Sequence, residues 1–313
     1  MPAVTVLMAV YNALPFLPQT LDSVLNQTFT DFEFLIINDG STDRSGEILR
    51  TYAARDPRIR LIERENRGFV ASLNQGLDLA HGEFLARIDA DDLCTPTRLA
   101  DQVAYLRAHP DCVLVGGFVQ LIDAKNRPLR TLRLPVDHAD IDRYQLAGHT
   151  SIPHPVATFR LAAAKALGGY NPRYESAEDL DLWLRLAEVG AIHNIPRVLV
   201  QYRQHDNSMS STHSQAQLDN MHAICRAAWT RRNVPGKFEM TEHWRPGPDR
   251  ASRLRYALST GWCAFNEGHR STARIYALKA LRLHPASLQA AKLLACALIK
   301  PSPKPQTAAE PLP

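Results

Sequence analysis

The 313-residue chain carries 36 Lys and Arg against 32 Asp and Glu, with 45% hydrophobic and 22% charged residues. Those are the proportions of an ordinary globular protein, and the length suits one large α/β domain with a smaller appendage. Five scattered cysteines (Cys94, Cys112, Cys225, Cys263, Cys296), odd in number and without C-x-x-C spacing, argue against a disulfide framework or a zinc site and for a reducing compartment.

Val4–Val10 is a short apolar run without a basic leader, so it reads as a first strand and not a signal peptide. It ends at Tyr11-Asn12. Leu17, Leu21, Val24 and Leu25 then recur at helical spacing. Phe32–Ile37 reads as a second buried strand. It runs into the polar cluster Asn38-Asp39-Gly40-Ser41-Thr42-Asp43, which supplies an N-cap for a helix over Ser45–Ala54. Ile59–Glu63 is a third strand. Gly68–Ala80 is a helix with Val70, Leu73, Leu77 and Ala80 on one face, and Phe84–Ile88 is a fourth strand. This alternation implies βαβ crossovers and a mostly parallel central sheet flanked by helices. Such sheets bind ligands beyond the carboxyl ends of their strands.

Three of the four strands end in polar residues that parallel pairing would bring to one edge: Tyr11-Asn12, Asn38-Asp39, and the run LARIDADD at Leu85–Asp92. Asp89, Asp91 and Asp92 repel one another unless hydrogen bonds or a cation stabilise them. Mg²⁺ and Mn²⁺ take oxygen ligands, often one or two carboxylates plus phosphate oxygens. A metal–diphosphate site fits this run, and so does an acidic turn capping the next helix. Asp39 caps a turn or accepts from an N–H donor such as a nucleobase.

Farther along, Pro96–Ala108 reads as helix, Val113–Ile122 as strand and Leu129–Leu134 as a short strand. Ala139–Pro155 reads as loop, with His149 and His154 structural or acceptor-facing. Ser176–Gly190 is a helix with Leu180, Trp183, Leu184 and Ala187 on its apolar side. Glu178 and Asp179 at its first turn complement the helix dipole or supply a general base. Ile192–Ile195 and Val198–Tyr202 close this part as two strands. Arg203 and His205 fall on one side of an extended chain, suited to gripping a diphosphate and a metal, or to opening a basic linker.

From His213 the pattern is helical to the end. Ala264–Ile299 resembles one tetratricopeptide-type unit, with Gly268 at a turn and Pro285 opening a third helix, and residues 301–313 read as a disordered tail. The apolar stretch Ala286–Ile299 is too short for a membrane span. Charge is uneven: residues 1–225 hold 21 Lys and Arg against 27 Asp and Glu, whereas residues 226–300 hold 14 against 4. A basic appendage suits an anionic partner, or is simply a solvated basic face. It lacks aromatic interleaving and any nucleic-acid motif, so nucleic acid is not expected. An anionic membrane surface is the candidate, with Leu258, Trp262 and Phe265 at helical spacing.

The ordered set VLMAVYN (Val6–Asn12), LDSVLNQTFTDFEFLIINDGSTD (Leu21–Asp43), ENRG (Glu65–Gly68) and HGEFLARIDADD (His81–Asp92) closely resembles the inverting family 2 glycosyltransferases with the GT-A fold. IPHPVATFR (Ile152–Arg160), LGGYNPRY (Leu167–Tyr174), AEDLDLWLRL (Ala177–Leu186) and YRQHDNSMS (Tyr202–Ser210) resemble that family's acceptor half. Each motif is moderate alone, and the ordered set is specific. The resemblance implies a GT-A (Rossmann-like) domain over residues 1–212, followed by a helical extension over 213–300. It implies a nucleotide-sugar donor, most often a UDP-sugar, with Mn²⁺ or Mg²⁺. By matching position, Val10, Tyr11, Asn12 and Asn66 would surround the nucleoside and Asp39 would read the base. Asp89 and Ala90 would approach the ribose, and Asp91 would bind the metal. Asp179 of the Glu178–Asp179 pair would be the catalytic base, and Arg203 and His205 would belong to a closing loop that contacts diphosphate and metal.

The membrane helices and Q-x-x-R-W signature of the family's processive synthases do not occur, which implies one sugar per event. The acceptor expected is a glycan or a lipid-linked glycan in cell-surface polysaccharide or lipopolysaccharide synthesis. The expected location is cytoplasmic, at the inner face of the membrane if the basic helices bind it. A nucleotidyltransferase is a rival, but Val10–Leu17 has no Gly, Lys or Arg to cradle phosphates. An inactive domain serving a helical-repeat binding protein is a second rival, against which the retained Asp89, Asp91 and Asp179 argue.

Overall fold

The computed structural model describes residues 1–205, 214–240, 247 and 249–301. The tail read at 301–313 lies outside these apart from Pro301, as do Asn207, Ser208 and Ser210 of the closing loop. The chain divides into two units. The first holds residues 1–119, 134–202 and 213–241; the second holds 120–133, 203–212 and 242–313, so far as these are described.

The first unit opens with β1 (Val4–Val10), α1 (Leu17–Leu25), β2 (Phe32–Asp39), α2 (Ser45–Ala53), β3 (Ile59–Arg64), α3 (Phe69–Leu79) and β4 (Phe84–Arg87). Each helix buries the stripe its spacing dictates. Leu17, Leu21 and Val24 of α1 are sealed from solvent, and Val70, Leu73 and Leu77 of α3 join Leu7, Leu35 and Ile37 in the core. β1 runs parallel to both β2 and β4, and β2 runs parallel to β3. The register sets Val10 beside Asn38, and Asp39 beside Arg64, so the strand tips finish level.

The remaining elements are β5 (Leu93–Cys94), α4 (Arg98–Ala108), β6 (Cys112–Asp123), β7 (Pro128–Leu132), α5 (His138–Leu146), a 3₁₀ turn (His154–Val156), β8 (Thr158–Arg160), α6 (Leu161–Ala166), α7 (Glu178–Leu186), β9 (Ala191–Gln204) and α8 (Ser214–Arg232). The sheet order is β3-β2-β1-β4-β8-β6-β9-β5, with β7 paired to β6. Beyond β4 the sheet turns antiparallel: β8 opposes both β4 and β6, and β5 opposes β9. The parallel half is therefore the nucleotide-type βαβ portion, and the rest is a mixed extension of it.

Several local readings differ from the structure. α5 occupies part of the stretch read as loop, because only Ile141 and Gln145 of that polar helix are buried and no apolar stripe announces it. Pro196 does not break β9; it sits exposed within the strand, where a missing N–H costs no inward bond. Residues 234–240 are not helical. Asn233 (φ 51) ends α8, and the chain folds back so that Glu239 N donates to Ala147 O at 2.9 Å. α8, grouped in the sequence with the extension, packs Met221, Ile224, Cys225 and Ala228 on Leu180 and Leu184 of α7.

In the second unit, α9 (Arg250–Asn266), α10 (Arg270–Leu283) and α11 (Leu288–Ile299) follow one another, and Gly268 (φ 86) turns the chain between the first two. Asp249 and Ser287 cap α9 and α11 by accepting from Ser252 N and Ala290 N. Ala264, Phe265, Ala273, Ala277, Leu293 and Ala297 form the core, with Trp262 packed against it. Of the three residues read at helical spacing, Phe265 is buried in this core, while Leu258 and Trp262 remain half-buried. Tyr276 OH donates to Asp123 Oδ2 at 3.1 Å, and Arg133 pairs with Glu267 at 2.9 Å. No described helix is long and apolar enough to cross a membrane.

Candidate active site

The β1 tip is laced to the loop after β2. Asn12, in the left-handed region at φ 50, accepts from Thr42 N (2.8 Å) and Asp43 N (3.2 Å) through Oδ1, while its own N–H donates to Ser41 Oγ at 3.1 Å. Val10 is buried beneath, and Tyr11 is left 54% exposed at the rim with its ring free of the core.

Asp39 does more than cap a turn. Its buried carboxylate accepts from Arg64 Nε (2.8 Å), Arg67 N (3.0 Å) and Gly68 N (2.9 Å), so it ties β2 to β3 and to the start of α3. Before α2, whose N-cap residue Arg44 makes no side-chain cap bond, Asp43 Oδ1 accepts from Ser45 N at 2.9 Å. A carboxylate offers about four lone-pair sites, so three donors leave Asp39 capacity for one more. Gly40 (φ 76) lets this tip approach the next: a Cβ there would stand 2.6 Å from Asn66 N. Val10, Tyr11, Asn12, Asp39 and Asn66 therefore belong to one laced group of strand tips.

At the β4 tip, Arg87 is wholly enclosed and donates from Nη2 to Asp89 Oδ1 at 2.5 Å. Its guanidinium lies 5.1 Å from the centroid of the Phe69 ring. Asp92 N donates to Asp89 O at 3.3 Å, which makes residues 89–92 a turn that presents Ala90 and Asp91, both half-buried. Burial raises the Asp89 carboxyl; Arg87 pulls it down, Asp91 pushes it up again, and the net direction is upward.

Glu178 and Asp179 begin α7, where the dipole favours negative charge. Burial, and then the neighbouring Asp179 charge, push Glu178 up to about 8. Burial also raises Asp179, to about 6, with the charge of Asp89 adding to it. Arg87 acts on both carboxyls in the opposite direction. Asp89, Glu178 and Asp179 thus share one electrostatic neighbourhood around a single buried arginine. Asp91 joins it through Asp89.

Behind this group, His154 Nε2 is 2.9 Å from Tyr170 OH, and His154 Nδ1 is 3.6 Å from Glu178 Oε1. Burial and the Arg87 charge hold His154 well below its ordinary value, so it is neutral at pH 7. Arg87 Nε and Nη1 and Glu178 Oε2 are buried without a hydrogen-bond partner among the described residues. A pocket so polar can hold ordered water. Arg87 and Tyr170 were not singled out as site residues from sequence, whereas His154 was read as structural or acceptor-facing. The usable signal was Arg87 itself, a charge inside the otherwise apolar run Phe84–Ile88.

Among the described residues no three His, Cys, Asp or Glu side chains converge as a ready-made metal site. A hard divalent ion does not require one: a carboxylate or two, completed by diphosphate oxygens and water, suffices. Asp91, a half-buried carboxylate on the turn after β4, fits that donor chemistry. Arg203 belongs to the second unit, where it is buried and its Nη1 donates to Asn126 Oδ1 and to Asp123 O. His205 is also in the second unit, at the last described position before residue 214.

Residues 5–168 match the family described as Glycosyl transferase family 2. An uncharacterized glycosyltransferase of Haemophilus influenzae is 31% identical over 235 residues, covering 72% of either chain. Among solved structures, TarS of S. aureus in complex with UDP-GlcNAc has a TM-score of 0.60 at 18% identity, covering 94% of this chain and 79% of that one. The mannosyltransferase PcManGT of Pyrobaculum calidifontis, in complex with GDP-Man and Mn²⁺, has a TM-score of 0.55 at 23% identity, with the same two coverages of 94% and 79%. At these identities the two structures speak to the fold, which is the GT-A fold.

Proposed function

The chain belongs to the family 2 glycosyltransferases, and from that premise we propose that it transfers one sugar from a nucleotide-diphospho-sugar to an acceptor hydroxyl with inversion. The acceptor is a glycan or a lipid-linked glycan of the cell surface. The observation that carries this reading is the single neighbourhood formed by Asp89, Glu178 and Asp179 around Arg87.

The nucleoside lies against Tyr11 and the laced tips. The base donates an N–H to the remaining lone pair of Asp39, which suits uracil first and guanine second. Asp89, steadied by Arg87, accepts from the ribose. A Mn²⁺ or Mg²⁺ ion held by Asp91 would supply positive charge against the departing diphosphate. Asp179 takes the proton of the acceptor hydroxyl as that oxygen bonds to the anomeric carbon from the far face. The bond to the phosphate oxygen breaks in the same step, and its electron pair leaves with the nucleoside diphosphate. Glu178, kept neutral, adds no second charge beside the base. No covalent sugar–enzyme intermediate is needed, so one carboxylate base is enough.

The test is nucleotide release from a panel of UDP- and GDP-sugars with Mn²⁺, for wild type, Asp91→Ala and Asp179→Ala, with the product anomer assigned by NMR. Loss of release in both variants and an inverted anomer are expected. Release unchanged in either variant, or a retained anomer, overturns the assignment.

A further inference from the structure

The sequence TLDSVLNQT at Thr20–Thr28 carries polar side chains that the proposed chemistry does not use. Thr20, fully buried on α1, donates from Oγ1 to the carbonyl of Ala90 at 3.0 Å. One turn on, Ser23 Oγ accepts from Cys94 N at 3.1 Å. Just past the helix, Gln27 donates to Thr95 O at 2.7 Å and accepts from Leu99 N at 3.0 Å. Thr28 N completes the series on Pro96 O at 2.9 Å. Thr20 and Ser23 share one edge of the helix, Gln27 follows just beyond its end, and their partners follow one another along residues 90–99.

The opposite side of that segment is held as well. Buried Arg98 donates from Nη2 to Arg87 O at 2.6 Å, and Thr95 N donates to Leu199 O at 2.9 Å. Irregular backbone at a sheet edge must satisfy its polar groups somewhere, and here α1 provides the partners. A buried threonine is a poor choice for a helix interior unless its hydroxyl is bonded. Its partner is the peptide between Asp89 and Asp91.

We propose that Thr20 and Ser23 on α1, with Gln27 just after it, form a positioning device for the acid turn, with Thr20 fixing the Ala90 peptide and so the directions in which Asp89 and Asp91 leave the chain. The device acts through those two carboxylates and touches no substrate. It rests on the reading above, in which they receive the donor diphosphate and its ion.

Calorimetric titration of UDP and of GDP, each with Mn²⁺, into the full-length chain tests it, with melting temperatures taken alongside. Thr20→Val keeps the shape and removes the bond. It should weaken nucleotide–Mn²⁺ binding about tenfold, the effect of one buried hydrogen bond. Thr20→Ser, which restores a hydroxyl, should bring binding back. In turnover assays Thr20→Val should raise the donor KM and leave kcat near wild type. If Thr20→Val does not fold, Ser23→Ala is read in its place, with weaker binding expected. Wild-type affinity in a folded Thr20→Val or in Ser23→Ala, while Asp91→Ala fails to bind, overturns the positioning role alone. Wild-type affinity in Asp91→Ala overturns the donor-site reading itself, and the positioning role with it.

Discussion

Arg87 Nη2 stands 2.5 Å from Asp89 Oδ1, with the guanidinium wholly enclosed and the carboxylate side chain 30% exposed. The asymmetry sets what a mutation would do. Arg87→Met removes a buried charge and leaves Asp89 beside three other carboxyls. Unpairing a buried ion costs on the order of 3 kcal/mol, towards the low end because Asp89 can take up water. Chemical denaturation should report that loss, and Asp89→Asn in the same background should recover part of it.

The rate should fall as pH drops through the Asp179 value of about 6, because a protonated carboxyl cannot take the acceptor's proton. Asp179→Asn should lower turnover by roughly 10²–10⁴, the usual worth of a general base, while UDP or GDP binding is retained. A kcat profile flat between pH 5 and 7, taken as about one unit either side of the limb, would assign the base elsewhere.

Glu178 predicts a stability effect with a definite sign. Its ordinary value is 4.5 and burial takes it to about 8. Below 4.5 it is protonated in folded and unfolded chains alike. Between the two values the unfolded chain releases the proton and the folded chain keeps it, so rising pH favours unfolding. Glu178→Gln abolishes that drift. Thermal melts should show the variant gaining on wild type from about pH 5 to about pH 8, then running parallel to it.

Asp39 holds three donors, one of them a guanidinium. Asp39→Asn should therefore cost about 2–4 kcal/mol of stability, in addition to any loss of nucleotide affinity. Gly40→Ala should act on the same junction, since a left-handed backbone and a 2.6 Å approach to Asn66 N leave no room for a methyl. A cost of about 1–3 kcal/mol is expected, read in denaturant melts. An unchanged midpoint in Asp39→Asn would mean that the tips do not depend on this carboxylate.

The parallel half of the sheet was legible because hydrophobic period, turn residues and strand ends all agreed there. Leu17, Leu21 and Val24 announce α1, and Val10, Asn38 and Asp39 mark where strands stop. The antiparallel half was harder. β8 is three residues long and β5 two, below the length at which alternation carries a signal. α5 lacks an apolar stripe, and Pro196 misled because its exposed place in β9 depends on tertiary context. At the site, the acidic residues stood out and their supports did not. Arg87, His154 and Tyr170 come from three separate elements, and only folding makes them neighbours. Thr20 and Gln27 were hidden differently, as polar residues on or just past a helix read chiefly for its leucines.

The second unit gathers residues 120–133 with stretches beginning at 203 and 242, and Tyr276 on α10 completes the hydrogen bonding of Asp123, more than 150 positions earlier. A module wound from three separate stretches cannot be grafted on or trimmed off at one junction. Shortening the gene at its 3′ end would strip Asp123 of a donor and loosen a hairpin encoded near the middle.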